Sequence, residues 1–224
     1  MKPTEKIDFQ DVGALTRRLC ARKISPDRFF IELPERDAAN AVYAALKAEV
    51  AYRGRQLILD DETRANILDV ARWLSDPRGK PGLLLKGLLG NGKTSMMRAV
   101  ARLVEFVSEE TLGYSKRKTV RLVTAKEVVR WCVSKEERAK YDELFSLPML
   151  GIDELGGEPA EVVSFGQPWT PLYDLLEARY QKQLFTIATT NLTDDLIQEH
   201  YDSRISDRFK EMMHKIIYRN PSYR

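Results

Sequence analysis

Residues 87–94 run Gly-Leu-Leu-Gly-Asn-Gly-Lys-Thr, a glycine followed by four residues and then Gly-Lys-Thr. An apolar run, Gly82–Lys86, precedes them, and a run of good helix formers follows from Lys93. That order predicts a phosphate-binding loop of the Walker A kind. Glycines let backbone N–H groups close around phosphate oxygens, and the helix start adds the positive end of its dipole. In this reading Gly87, Gly90, Asn91, Gly92, Lys93, Thr94 and Ser95 hold a nucleotide. Lys93 reaches the β- and γ-phosphates, and the Thr94 hydroxyl takes Mg²⁺. An accidental glycine-rich turn is the bland alternative, and the strand before and helix after it weigh against it.

Further candidate groups follow in chain order. Leu150-Gly151-Ile152-Asp153-Glu154 places two carboxylates at the end of an apolar run. Ligands of open parallel sheets sit at the carboxyl ends of the strands. Asp153 is therefore expected near Thr94 and the metal, and Glu154 is placed to orient and activate an attacking water. The alternative is two solvated loop acids. Thr189-Thr190-Asn191 ends another apolar run, and Asn191 suits either a water-holding amide or a helix cap. Arg204 and Arg208 lie four apart on one helix face. Phosphoryl transfer uses arginines delivered to the γ-phosphate, often by a neighbouring subunit. Residue types alone favour a surface pair, solvated or bound to Asp202 and Asp207. Residues 111–126 carry Lys116, Arg117, Lys118, Arg121 and Lys126 without an acid, and Arg130 and Trp131 follow. Cations interleaved with aromatics suit a single-stranded nucleic acid track. Glu127 and the acids at 136–143 dilute the run, so a solvated face competes closely.

Strands and helices alternate around these groups. Strands are expected at Gly82–Lys86, Thr119–Thr124, Leu147–Asp153, Leu184–Thr189 and Lys215–Tyr218. Helices are expected from Lys93 to about Glu109, over AKEVVRWCV with Thr124 as cap, and over Thr170–Lys182. The pattern predicts an α/β fold, a parallel sheet with helices on both faces. Residues 57–224 form that core, opening with a helix capped by Asp60 or Asp61. Residues 1–56 read as a small helical appendage suited to docking a partner. In it Leu15, Leu19, Phe29 and Phe30 suggest a short helix and an apolar turn, and Val42, Leu46 and Val50 give one apolar face to a helix from Glu35. The charged segment SKEERAKYDELF is left without an element, and Gly156–Pro168 is expected to be a mobile surface loop.

Composition narrows the classes. Hydrophobic residues make up 43% of the 224 and charged residues 31%, so a core and a solvated surface both form. No apolar run approaches the roughly 20 residues of a membrane span, and the N-terminus lacks a signal-peptide stretch, so a cytoplasmic protein is expected. Cys20 and Cys132 form no CxxC pair and are expected as free thiols. A net charge of +3 is too small to argue for nucleic acid.

Together the motifs resemble the AAA+ ATPases of the DnaC type, which load replicative helicases, and the related IstB-type transposition helpers. The matching stretches are GLLGNGKTS, LGIDELG, LLEARY, FTIATTNL, RISDRF and the final SYR, from about Gly82 to Arg224. The ending favours the loaders. The resemblance implies ATP and Mg²⁺ as cofactors and ATP hydrolysis at a subunit interface of an ATP-dependent homo-oligomer. It implies Asp153 and Glu154 as the Walker B metal residue and catalytic glutamate, Asn191 as sensor 1, and Arg208 as the arginine finger with Arg204 as companion. Segment 124–141 falls where this clade carries its initiator-specific helices, which implies Lys126, Arg130, Lys135 and Arg138 as contacts to single-stranded DNA. A separate C-terminal lid domain is not expected. The implied protein partner is a replicative helicase, or a transposase in the second reading; a nucleotide-binding adaptor without turnover is a third. Leu88, Leu89 and Asn91 depart from the prolines and threonine common in this loop, and residues 1–56 match no helicase-binding domain.

Overall fold

The computed structural model describes residues 10–20, 28–164 and 167–223. The side chains of Leu15 and Leu19, and Arg224 of the final SYR, lie outside the described residues. Helices are α1 (Val12–Cys20), α2 (Glu35–Tyr52), α3 (Asp61–Ser75), α4 (Lys93–Leu112), α5 (Ala125–Val133), α6 (Arg138–Leu144), α7 (Pro171–Gln181), α8 (Asp194–Tyr201) and α9 (Ser203–Met212). Strands are β1 (Gly82–Gly87), β2 (Arg121–Thr124), β3 (Met149–Leu155), β4 (Val162–Ser164), β5 (Gln167–Trp169), β6 (Phe185–Thr190) and β7 (Met213–Tyr218).

Five strands make one parallel sheet in the order β2-β3-β6-β1-β7. Strands covered on both faces read as near-continuous apolar runs, as Leu83–Leu85 of β1 does, and β6 is buried along its whole length with Thr186, Thr189 and Thr190 among its residues. Successive side chains then point to opposite layers. Leu83 and Leu85 join α2, α3 and α4 on one side, while Leu84 joins α5, α7 and α9 on the other. Caps follow the sequence: Asp60 accepts from the Thr63 amide at the start of α3, and Thr124 with Glu127 forms a capping box at α5.

The α2 helix buries Ala38, Val42 and Leu46 in the same core as Ile67, Val70 and Val100. Residues on both sides of position 56 thus share one apolar layer. The charged segment after α5 contains α6, because Tyr141 and Leu144 turn inward at helical spacing. Part of the expected loop at 156–168 is paired: β4 and β5 form an antiparallel ribbon. Its Trp169 is covered by the Arg138 guanidinium at 4.3 Å and donates its indole N–H to Asp174.

Arg179 of α7 is fully buried beneath the sheet edge. Burial pulls its guanidinium below the ordinary value. It donates to Thr186 Oγ1 at 2.8 Å and to the carbonyls of Leu144, Leu147 and Phe185 at 3.3, 2.9 and 2.7 Å. Among the described residues four acceptors and no carboxylate hold it, so α7, β6 and the α6–β3 connection are tied together by one side chain. Cys20 is exposed and Cys132 buried, and both are free thiols.

Candidate functional site

Strand order decides what meets at the carboxyl edge of the sheet. With β6 between β3 and β1, the ends of three strands stand side by side: Asp153-Glu154, Thr189–Asn191 and the loop from Gly87. The loop turns tightly against the end of β7. A Cβ on Gly87 would meet the Tyr218 carbonyl and the Asn91 amide nitrogen, each at 2.5 Å. Gly92 has φ of 94° and caps α4, a conformation that costs glycine little.

Thr94 Oγ1 donates to Asp153 Oδ1 at 2.9 Å, bridging α4 and β3. The Thr189 hydroxyl also donates to Asp153 Oδ1, and it accepts from the Glu154 amide at 2.9 Å. Asp153 is buried, and its neighbour Glu154 is not. Two local features separate them: Glu154 has φ of 60°, and the β3–β6 register shifts between Ile152 and Leu155. A non-glycine residue at positive φ next to a bulge is the kind of local strain that clusters at functional sites. Here it leaves Asp153 facing Thr94 while Glu154 lines an open cleft.

That cleft has a volume of about 420 Å³. One end is the loop, Gly90–Ser95, with Glu154, Thr189 and Asn191; the other end carries Leu46, Val50, Leu57, Ile58 and Asn66. Lys93 is buried, and its ammonium donates to the carbonyls of Gly87 and Leu88 at 2.7 Å each and to Asn91 Oδ1 at 3.0 Å. Asn191 lines the cleft, and it is Thr193 that caps α8 by accepting from the Leu196 amide. The two uses open to Asn191 in sequence are thereby separated. Tyr218 and Tyr223 form part of the wall. Burial pushes the Tyr218 phenol up, and the Tyr223 hydroxyl holds the Asp60 carboxylate below its ordinary value.

Gly90, Asn91, Gly92, Lys93, Thr94, Ser95, Glu154 and Asn191 thus meet at one cleft, with Gly87 at its hinge and Asp153 directly behind Thr94. Other expected residues stand elsewhere. Arg204 and Arg208 lie on α9 and do not line the cleft of their own chain. Arg208 is ion-paired with Glu177 of α7 and lies 5.1 Å from the Tyr180 ring, while Arg204 reaches Tyr173 Oη at 3.4 Å. The acids considered as their partners are engaged otherwise: Asp202 caps α9 and Asp207 pairs with Lys210.

The basic candidates occupy the α5–α6 surface. Lys126, Arg130 and Lys135 are exposed, and Arg138 is half-buried. Arg130 pairs with Glu137 at 3.2 Å; Arg138 pairs with Asp142 at 3.0 Å and donates to the Cys132 carbonyl at 3.3 Å. The earlier cation Arg117 pairs with Glu105 at 3.1 Å.

Sequence reasoning named Thr189 only as part of a polar strand end and Tyr223 only within the final SYR, and it gave no role to Asn66 or Tyr218. Thr189 was within reach, standing two residues before Asn191 on the same apolar run. No local pattern marks Asn66 or Tyr218, and the SYR ending says nothing of where Tyr223 lies; all three reach the cleft through the packing of α3, the end of β7 and the path of the chain after it.

No family model and no curated protein matches the sequence. Solved structures do resemble it. DnaI superimposes with a TM-score of 0.58 at 21% identity, covering 81% of this chain and 93% of that one. The DnaC helicase loader gives 0.52 at 17% identity, covering 73% and 93%. The replication initiator DnaA bound to AMPPCP and single-stranded DNA gives 0.50 at 16% identity, covering 71% of this chain and 48% of that one. Among the described residues no helix is long and apolar enough to cross a membrane. With its β2-β3-β6-β1-β7 parallel sheet flanked by helices and the loop after β1, the chain has an α/β fold, the fold it shares with DnaI and the DnaC helicase loader.

Proposed function

We propose that this chain is an ATP-dependent helicase loader of the DnaC type, acting in the cytoplasm as an ATP-dependent homo-oligomer that engages a replicative helicase and single-stranded DNA. The observation that carries this is the Thr94–Asp153 contact at 2.9 Å, flanked in one cleft by Glu154 and Asn191. The likeness in fold to DnaI and the DnaC helicase loader gives that chemistry its context.

A nucleotide fits the cleft in one direction. The loop N–H groups and the start of α4 take the phosphates. The apolar end at Leu46, Val50, Leu57 and Ile58 suits a base, and the volume suits a ligand of this size. Thr94 and Asp153 supply the hard oxygen donors that Mg²⁺ takes beside substrate phosphates. Mg²⁺, when bound there, neutralises charge developing on the phosphoryl oxygens. Lys93 exchanges its loop carbonyls for phosphate oxygens. Glu154 accepts the proton of the attacking water, and Asn191 holds that water in line.

Arg208 and Arg204 stand away from this cleft, which supports their acting on the nucleotide of a neighbouring subunit. Arg208 would leave Glu177 to reach a γ-phosphate. Lys126, Arg130, Lys135 and Arg138 would track the single strand, and residues 1–56 would dock the helicase, with α2 as the join to the core.

Mixing the chain with the replicative helicase of its own host, with and without ATP, tests the loader reading. A complex that forms with ATP and releases after hydrolysis is the expected result. No complex under either condition would overturn it.

A further inference from the structure

The segment after β7 makes an unusual set of bonds to the phosphate loop. Asn220 is buried, and its Nδ2 donates to the Asn91 carbonyl at 3.1 Å. The Tyr223 amide donates to the Gly90 carbonyl at 3.1 Å. In return Asn91 Nδ2 donates to the Tyr218 carbonyl at 3.3 Å. The same segment is tied to the start of α3. Tyr223 Oη donates to Asp60 Oδ2 at 2.7 Å and bonds Thr63 Oγ1 at 2.8 Å, and the Arg219 amide donates to Glu62 Oε1 at 2.9 Å.

These bonds have a direction. Asn91 and Gly92 present their N–H groups to any phosphate in the loop, so the Gly90 and Asn91 carbonyls, which share those peptide planes, must point the other way. Asn220 and Tyr223 donate to those outward carbonyls. Each donation fixes a peptide plane, and the inward N–H is aimed by the same rotation. The Lys93 ammonium holds the Gly87 and Leu88 carbonyls and the Asn91 side chain, but not the Gly90 and Asn91 carbonyls, and around them the glycines are permissive and Leu88 and Leu89 are 74% and 61% exposed.

We propose that residues 219–223 form a strap that sets the conformation of the phosphate loop, with Asn220 and Tyr223 as positioning residues for the nucleotide. The strap rests on the reading of the cleft as a nucleotide site. It links the loop to the N-terminus of α3, so nucleotide binding and strap docking strengthen each other by the same factor. Asn220 does not line the cleft, so its effect on the ligand passes through the Asn91 peptide and, by its bond to the Pro221 carbonyl at 3.1 Å, through the strap itself.

The test uses the full chain, its Asn220→Ala and Tyr223→Phe variants, and the fluorescent nucleotide mant-ATP. Each variant loses hydrogen bonding worth roughly fivefold in affinity, so mant-ATP should bind each about five times more weakly. Amide hydrogen exchange without nucleotide should quicken at residues 88–92 in both variants and stay unchanged in β3 and mid-α4. Wild-type affinity in both variants would overturn the strap, and so would exchange that quickens uniformly across the sheet, which marks a general loss of stability. Failure of the unaltered chain to bind mant-ATP would remove the nucleotide reading; the exchange arm then decides the strap, and loop amides that do not quicken overturn it.

Discussion

The cleft at the carboxyl edge of the sheet and the α5–α6 surface both carry the residue types that sequence reasoning singled out, yet they are built differently. At the cleft, groups from three adjacent strand ends converge, and Lys93, Thr94 and Asp153 are each held by neighbours of fixed geometry. Thr189 alone bonds both Asp153 and the Glu154 backbone. On α5–α6, Arg130 and Arg138 are engaged by Glu137 and Asp142, and Arg138 also covers Trp169. Convergent polar groups on a rigid edge are organised for a ligand before it arrives. Exposed ion pairs contribute little to stability and must be exchanged for a ligand's charges. Residue type proposes a site, and what the side chain is already bonded to decides how ready it is.

The largest expected effect lies at the cleft. Glu154→Gln should lower ATP turnover by about 10³-fold, within the range of a lost general base, while mant-ATP affinity changes less than about twofold. Steady-state phosphate release beside a binding titration checks both; equal turnover in the two proteins would take the enzyme out of the proposal.

Lys93→Ala should weaken mant-ATP binding by about 100-fold, the scale of losing a desolvated charge contact. Fluorescence titration measures it, and retained affinity would break the assignment of the loop.

On the other surface the effects should be smaller and of both signs. Replacing Lys126, Arg130 and Lys135 together by Ala should weaken single-stranded DNA binding about tenfold and flatten its salt dependence by about 0.7 per lost phosphate contact. Glu137→Gln releases Arg130 and Lys140 from their shared partner and should tighten DNA binding about threefold. A weaker complex in Glu137→Gln would show that the ion pairs organise this face and that the contrast with the cleft is wrong.

The smallest effect is a pH dependence near the cleft edge. Lys215 and Lys86 hold the Asp194 carboxylate below its ordinary value. A depressed folded-state value means the unfolded chain binds the proton more tightly. This stabilisation is therefore complete above the unfolded value of about 3.9 and is lost as pH falls through the lower folded value. Asp194→Asn should lower the melting temperature slightly at neutral pH and reduce its fall below pH 4, read by thermal scans at both pH values.

Much of this was legible in the chain because it is local. Gly87–Thr94 announces its loop through glycine spacing, and Thr124 and Asp60 announce helix starts through hydrogen bonds that span three residues. Asp153-Glu154 was legible as a pair, and so was the expected division between them, Asp153 toward Thr94 and Glu154 toward an attacking water; the backbone geometry behind that division was not. That division rests on the φ of Glu154 and a register shift against β6, which no pattern in β3 specifies. The hairpin at β4–β5 was hidden because each strand has three residues, too few for an alternation to register.

By itself the sequence determined a parallel α/β fold and a glycine-spaced loop between β1 and α4, since both follow from periodicity, composition and bonds between near neighbours. Only the tertiary structure decided which residues complete the cleft. Asn66, Tyr218 and Tyr223 reach it from α3 and from beyond β7, across separations of up to 163 residues, as in the bond from Tyr223 to Asp60. Contacts of that span depend on strand order and on how α3 packs against the sheet, and neither leaves a periodic mark in the chain. The basic surface is divided in the same way: the Arg138–Asp142 and Lys140–Glu137 pairs are one helical turn apart and local, whereas the Arg130–Glu137 pair forms only once α5 and α6 fold against each other.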